Sequence, residues 1–184
     1  MLKIIEPDWN LSPYLSKEAL EIHYHGHHLK YVENLQKLLP NCSLPLEEII
    51  SKYSENTPIY NNAAQILNHN IFWQSMKKDS YNPLILEFLN KEIEFEKKFI
   101  LETNKMFGSG WVWLVSENSA LKILSTKDGI YPKNCTPIIN IDLWEHAYYV
   151  NYQNKRTSFC ETFIKHLLNY EQIERKLLEL GYSF

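Results

Sequence analysis

Seven histidines define the chemistry open to this 184-residue chain. Four crowd into Ile22-His23-Tyr24-His25-Gly26-His27-His28, and the others stand at His69, His146 and His166. A neutral imidazole offers a lone pair to a metal or carries a proton near neutral pH. By spacing alone His23 and His27, at i and i+4 on a helix, form the tempting chelating pair, whereas His25 points elsewhere. A solitary helical histidine is more often an ordinary core or surface residue, so each candidate carries a plain alternative. His69, in Asn68-His69-Asn70-Ile71-Phe72-Trp73 and one turn after Gln65, suits a ligand or a buried ring bonded to backbone. The strongest local signal is Asp142-Leu143-Trp144-Glu145-His146. A carboxylate ending an apolar strand and an imidazole four residues on can converge where the strand turns into a helix. A buried carboxylate is costly unless paired or metal-bound. The alternative is Asp142 as a helix cap and His146 as core.

Three neutral imidazoles and one carboxylate suit a borderline transition metal such as Fe, Mn or Zn. Other metal chemistries lack their residues. Cys42, Cys135 and Cys160 are widely spaced and form no C-x-x-C pair, which excludes a thiolate cluster and suits a reducing compartment. No Glu-x-x-His motif supports a carboxylate-bridged di-iron bundle. Gly108-Ser109-Gly110 imitates a phosphate loop but leads into a strand.

The elements that must position these groups are legible. Ser16 reads as an N-cap, and Leu20, Tyr24, His27, Tyr31, Leu35 and Leu38 then recur at helical spacing until Pro40. A short turn of helix is expected around 46–52, and a second long helix from Pro58 to about Lys77. Asn82-Pro83 is a cap and first-position pair for helix reaching Lys105, in one or two pieces. Trp111–Val115, Leu121–Ser125 and Pro137–Ile141 read as three strands. Helix returns from Trp144 to Leu180, with a break expected near Thr157. The prediction is an α+β fold: an antiparallel helical hairpin over residues 1–80, and an α/β domain with a small three-stranded antiparallel sheet over 81–184, with the site between them.

Composition narrows the function. The net charge of −3 disfavours general nucleic-acid binding, and no window approaches a membrane span. The opening Met1–Pro7 lacks the apolar stretch of a signal peptide, so a cytoplasmic location is expected, with an excised targeting segment left open.

Four blocks in order carry a resemblance: Leu20-Glu21-Ile22-His23-Tyr24 with His27-His28 and Tyr31; Asn61-Asn62-Ala63-Ala64-Gln65 with Asn68-His69; Phe107-Gly108-Ser109-Gly110-Trp111; and Asp142-Leu143-Trp144-Glu145-His146-Ala147-Tyr148-Tyr149. Over nearly its whole length the chain resembles the iron/manganese superoxide dismutases. The resemblance implies conversion of superoxide to dioxygen and hydrogen peroxide by one metal cycling between M(III) and M(II). It implies His23, His69, Asp142 and His146 as ligands with solvent as the fifth, and moves His27 out of the ligand set. It gives Tyr31 the place of the gateway tyrosine, and Gln65 that of the amide beside metal-bound solvent. Trp73, Trp111 and Trp144 become the aromatic wall, and Arg156 an arginine near the substrate funnel. A homodimer is implied, with Glu145 reaching His146 of the partner subunit and Tyr149 meeting His27 of the partner subunit. Gln65 in Asn-Asn-Ala-Ala-Gln resembles the iron-type arrangement, and Lys127-Asp128-Gly129 offers no glutamine where manganese-type members supply one. Iron is expected, one per subunit, with manganese or both left open. His25-Gly26 replaces a common Gly-Lys pair, Leu29 stands where a polar residue is frequent, and the Lys127–Pro137 connection is slightly short. A metal-storing protein of the same fold and a metal-free helical interaction protein are the competing readings.

Overall fold

A computed structural model describes residues 2–184. The first helix, α1 (Lys17–His23), starts where Ser16 caps it, the Ser16 Oγ accepting from the Ala19 amide. It does not run on as regular α-helix. Tyr24–His28 form a π turn, closed by the Leu29 amide on the Tyr24 carbonyl, before α2 (Leu29–Leu38) resumes. The extra residue per turn overturns the single-face reading: Tyr24 and His28 are buried, His27 is half-buried and Leu38 is exposed.

After α3 (Leu46–Lys52), α4 (Thr57–Gln74) is the central element. Asn56 caps it and Pro58 sits in its first turn, where a missing amide hydrogen costs nothing. It packs on α2 and α3 on one side and on the third strand on another, so it has no free polar face. Gln65, Asn68, His69 and Asn70 are all buried there among apolar neighbours. A polar residue inside such a helix needs a partner, and those partners form the site.

Asn82 caps α5 (Pro83–Ile93), and a left-handed Glu94, φ 51°, separates it from α6 (Phe95–Lys105). The sheet follows in the order β2-β1-β3, antiparallel throughout: β1 (Gly110–Glu117), β2 (Ala120–Lys127) and β3 (Thr136–Asp142). The β1–β2 turn uses Asn118 and Ser119, both at positive φ (50° and 61°), the geometry a two-residue hairpin needs. Central β1 is buried almost throughout, which explains its nearly unbroken apolar run. The β1–β3 register sets Trp111 directly beside Asp142.

The closing helices are α7 (Glu145–Tyr152), α8 (Arg156–Thr162) and α9 (Tyr170–Glu179), with a second π turn at Phe163–Leu167. The break expected near Thr157 falls earlier, at Gln153–Lys155, where Gln153 takes φ 49°. A second break, before Asn169, follows because Asn169 caps α9 through its side chain and anchors to Ser75 and Gln74 by backbone and side chain. The main core joins both halves: Leu20, Tyr24, Phe72 and Trp73 pack in one cluster with Trp111, Trp113 and Phe163. A three-stranded antiparallel sheet with helices, behind a helical hairpin, is the α+β architecture the sequence predicts.

Candidate metal centre

Four side chains from four elements meet at the junction of hairpin and sheet. His23 arrives at the end of α1, His69 from the middle of α4, Asp142 at the last residue of β3 and His146 in the first turn of α7. One nitrogen or oxygen from each lies within 4.8 Å of all the others. The Asp142 Oδ2 stands 3.3 Å from His23 Nε2, 3.7 Å from His69 Nε2 and 3.3 Å from His146 Nε2. Asp142, His69 and His23 are buried and His146 is half-buried, so water reaches the cluster from one side only.

Each group is already oriented by a second contact. Asp142 Oδ1 accepts from the Trp144 amide at 2.8 Å, which leaves Oδ2 for the cluster. His69 Nδ1 donates to the Gln65 carbonyl at 2.7 Å. A carbonyl can only accept, so the proton is on Nδ1, and Nε2 presents a lone pair to a carboxylate oxygen. Nε2 of His69 and Nε2 of His23 are buried with no hydrogen-bond partner. Acceptors facing acceptors in a dry interior are unfavourable unless a cation lies among them. The donor set, three imidazoles and one carboxylate, fits Fe or Mn. Of the alternatives weighed from sequence, His69 bonded to backbone is present, whereas α7 has Trp144 and not Asp142 as its N-cap; His69 and Asp142 each keep one hydrogen bond to backbone groups. These bonds serve to aim the second atom of each side chain.

Burial lowers the His23 pKa to about 4, the adjacent Asp142 carboxylate offsetting only part of the effect, and burial holds His69 well below its ordinary value. Burial works to raise the Asp142 carboxyl, but His146 and then His23 outweigh it and hold the group below the ordinary carboxylate range. His23 and His69 are therefore neutral beside the Asp142 anion. Neutral burial also shapes the stability of the protein stripped of metal. Burial lowers the His28 pKa to about 3, so between pH 4 and 6.5 the unfolded chain binds protons at His23, His28 and His69 that the folded chain does not. Stability rises with pH wherever the unfolded state holds more protons, each such ring contributing up to about 1.4 kcal/mol per pH unit. Asp142, held below the ordinary carboxylate range, adds a slope of the same sign only toward the acid end of that window, where the unfolded carboxyl begins to protonate. Urea midpoints of chelator-treated protein should fall on going from pH 7 to pH 5; a flat profile would contradict neutral burial of these rings.

The residues around the four are placed as follows. His27 stacks on His146 at 3.9 Å between centroids and 20° between planes, outside the cluster, so the i, i+4 pairing with His23 is not formed. Trp73 meets His23 at 4.7 Å, Trp111 meets His69 at 5.1 Å, and Trp144 stacks on His146 at 5.7 Å. Gln65 Nε2 donates to the Tyr31 hydroxyl at 3.4 Å. Burial raises the half-buried Tyr31 phenol, so it keeps its proton at neutral pH. Arg156 binds the carbonyls of Gly108 and Met106 and lines a cleft of about 360 Å³ with Ser109, Trp144, His146 and Tyr148. His25 is exposed and lies over Trp9. His25→Ala should leave metal content and turnover within about twofold of the parent, as surface changes usually do; loss of metal would show that the π turn is misassigned.

Two features escaped the sequence reading. His28 is fully buried beside Trp73 and His69. The Asp128 carbonyl accepts from both Trp111 Nε1, at 3.0 Å, and Trp144 Nε1, at 3.1 Å. Asn68 Nδ2 holds the next carbonyl, that of Gly129, at 3.2 Å. A backbone acceptor has no residue-type signature; His28 had one, five residues from His23 across a glycine.

Family models for the iron/manganese superoxide dismutases match in two parts, the alpha-hairpin domain over residues 8–77 and the C-terminal domain over residues 77–176. The chain belongs to the iron/manganese superoxide dismutase family. It is 39% identical to "Superoxide dismutase [Mn/Fe]" of Rickettsia bellii, covering 91% of this chain and 88% of the relative. It is 41% identical to "Superoxide dismutase [Fe]" of Legionella pneumophila over 83% of this chain and 85% of the relative. It is 38% identical to "Superoxide dismutase [Mn]" of Rhizobium meliloti over 89% and 88%. The reaction of this superoxide dismutase family member is conversion of superoxide to dioxygen and hydrogen peroxide, with Fe or Mn as cofactor. Among the described residues no helix is long and apolar enough to cross a membrane.

Proposed function

We propose that the chain is an iron-loaded superoxide dismutase of the cytoplasm, working as a homodimer, with His23, His69, Asp142 and His146 holding one ion per subunit. The observation that carries the ligand assignment is the pair of buried, unpartnered Nε2 atoms facing a buried carboxylate oxygen. When bound, the ion supplies one-electron cycling between the +3 and +2 states, taking one superoxide to dioxygen and the next to hydrogen peroxide.

The chain's own residues do the rest. Asp142 contributes the one negative charge of the set, and neutral imidazoles keep the total charge low in a dry site. Gln65 places its amide beside Tyr31, where it can stabilise one protonation state of a bound small molecule over another. The Tyr31 oxygen accepts from Gln65, so its own O–H proton stays available to a reduced substrate. Trp73, Trp111 and Trp144 fill the walls with rigid apolar surface, leaving access to small species.

Iron rather than manganese is supported by the Gln65–Gly129 pair. A Cβ built on Gly129 would stand 3.1 Å from Gln65 Cγ and 3.2 Å from its Cδ, so a side chain at this position would have to push Gln65 aside by a few tenths of an ångström. Elemental analysis beside turnover, before and after peroxide, tests this reading. Stoichiometric iron with rapid peroxide inactivation is expected; activity carried by manganese alone and resistant to peroxide would overturn the metal assignment.

The dimer is supported by apolar side chains left bare next to the site. Ile22, Tyr149 and Val150 are 45%, 47% and 40% exposed on the mutually packed α1 and α7, with Glu145 exposed beside them. Glu145 of each subunit would reach His146 of the partner subunit, and Tyr149 would meet His27 of the partner subunit. Glu145→Ala should raise the dimer dissociation constant at least tenfold by sedimentation; an unchanged constant would sink the contact. The halves 1–80 and 81–184 are read as two domains built on one shared core.

A further inference from the structure

We propose that His28 is a positioning residue for the metal centre, locking Trp73 through Nδ1 and backing His69 with its ring face. The proposal rests on the ligand assignment above and extends it to a side chain with no place in the ligand set.

Trp73 Nε1–H lies 3.0 Å from His28 Nδ1. An indole nitrogen only donates, so Nδ1 must be the unprotonated nitrogen, and the ring is neutral with its proton on Nε2. That choice has a cost. Nε2 has no hydrogen-bond partner, although the residue is fully buried. A buried donor left unmade costs about 1–3 kcal/mol. The ring is held in this orientation by what its other atoms do. Nδ1 fixes the Trp73 indole, which packs on His23 with centroids 4.7 Å apart. Its face lies nearly parallel to His69, 5.2 Å and 14° away. One side chain thus supports two of the proposed ligands, on two different helices.

The π turn makes this geometry available. His23 and His28 are five residues apart, and on an α-helix with 3.6 residues per turn they would point well apart around the axis. Closure of the Leu29 amide on the Tyr24 carbonyl spreads an additional residue over the turn, and both rings face α4.

The test compares His28→Phe, which keeps an aromatic face but no acceptor, with His28→Asn, which keeps an acceptor near the Nδ1 position, in the metal-loaded protein. Three readouts apply: metal loss to a competing chelator, the midpoint potential of the bound ion, and the indole N–H band of Trp73 in ultraviolet resonance Raman, assigned with Trp73→Phe. His28→Phe should lose metal at least tenfold faster, move the potential by at least a tenfold change in the oxidised-to-reduced ratio, and shift the band. His28→Asn should restore the band and at least half of the logarithmic change in the other two. If His28→Phe does not fold, His28→Asn beside Trp73→Phe decides, because Trp73→Phe should then reproduce the faster metal loss and His28→Asn should not. Parent-like metal loss and potential in His28→Phe, or no rescue by His28→Asn, would overturn the proposal. A parent protein that binds no metal, or a His69→Ala variant that keeps it all, would instead overturn the ligand assignment.

Discussion

Asp142→Asn should empty the site of tightly held metal and reduce turnover by more than the roughly 10–100-fold that losing an outer hydrogen-bond partner costs. The reason is charge. Asp142 is the anion among the proposed ligands, its Oδ2 lying 3.3–3.7 Å from three imidazole nitrogens. Asparagine matches its shape, and its Oδ1 can still accept from the Trp144 amide that now binds at 2.8 Å. In the metal-free protein His146 and His23 favour the Asp142 charge over its burial cost, so the metal-free variant should be somewhat less stable to urea at pH 7 than the metal-free parent. His69→Ala should lose metal as well, for the separate reason that the lone pair aimed by the Gln65 carbonyl is gone. Metal analysis after dialysis, turnover and urea midpoints check all of this. Full metal and activity in both variants would refute the ligand set.

Gln65→Ala should give a different signature: metal retained, turnover down roughly 10–100-fold, and a shifted midpoint potential. Gln65 is buried, reaches Tyr31 through Nε2, and leaves Oε1 without a partner. An amide so placed discriminates between protonation states of whatever small molecule it meets, and each pKa unit of that preference is about 1.4 kcal/mol. Gly129→Ala should move the potential the same way by a smaller amount, because its Cβ would press within 3.2 Å of the Gln65 side chain. Measuring potential and metal content on the same samples separates tuning from simple loss. An unchanged potential in Gln65→Ala would remove the amide from the mechanism.

Much of the fold is readable from the chain because the relevant signals are local. Ser16, Asn82-Pro83 and the apolar run at Trp111–Val115 each fix an element through neighbours only a few residues away, and the elements form there. Periodicity fails where it is carried across a defect. Counting by 3.6 from Leu20 puts Leu38 on the buried face and pairs His23 with His27; the π turn rotates everything after Tyr24 and leaves Leu38 exposed. The break expected at Thr157 falls elsewhere because Gln153 turns the chain with a positive φ that its residue type does not advertise. The convergence of His23, His69 and Asp142 is a tertiary fact spanning distant segments. No spacing rule reaches it, and the resemblance, through whole blocks of residues, does.

The Asp128 carbonyl also limits where the chain can change length. Surface connections are usually where a protein family absorbs insertions and deletions. Here one oxygen is claimed by two indole rings, one in β1 and one past the end of β3, and the adjoining carbonyl is claimed by Asn68. The first two residues after β2 therefore have a fixed length. Any shortening of the Lys127–Pro137 stretch must be taken up farther along, past Tyr131, which Trp113 packs against, at exposed Lys133 and Asn134.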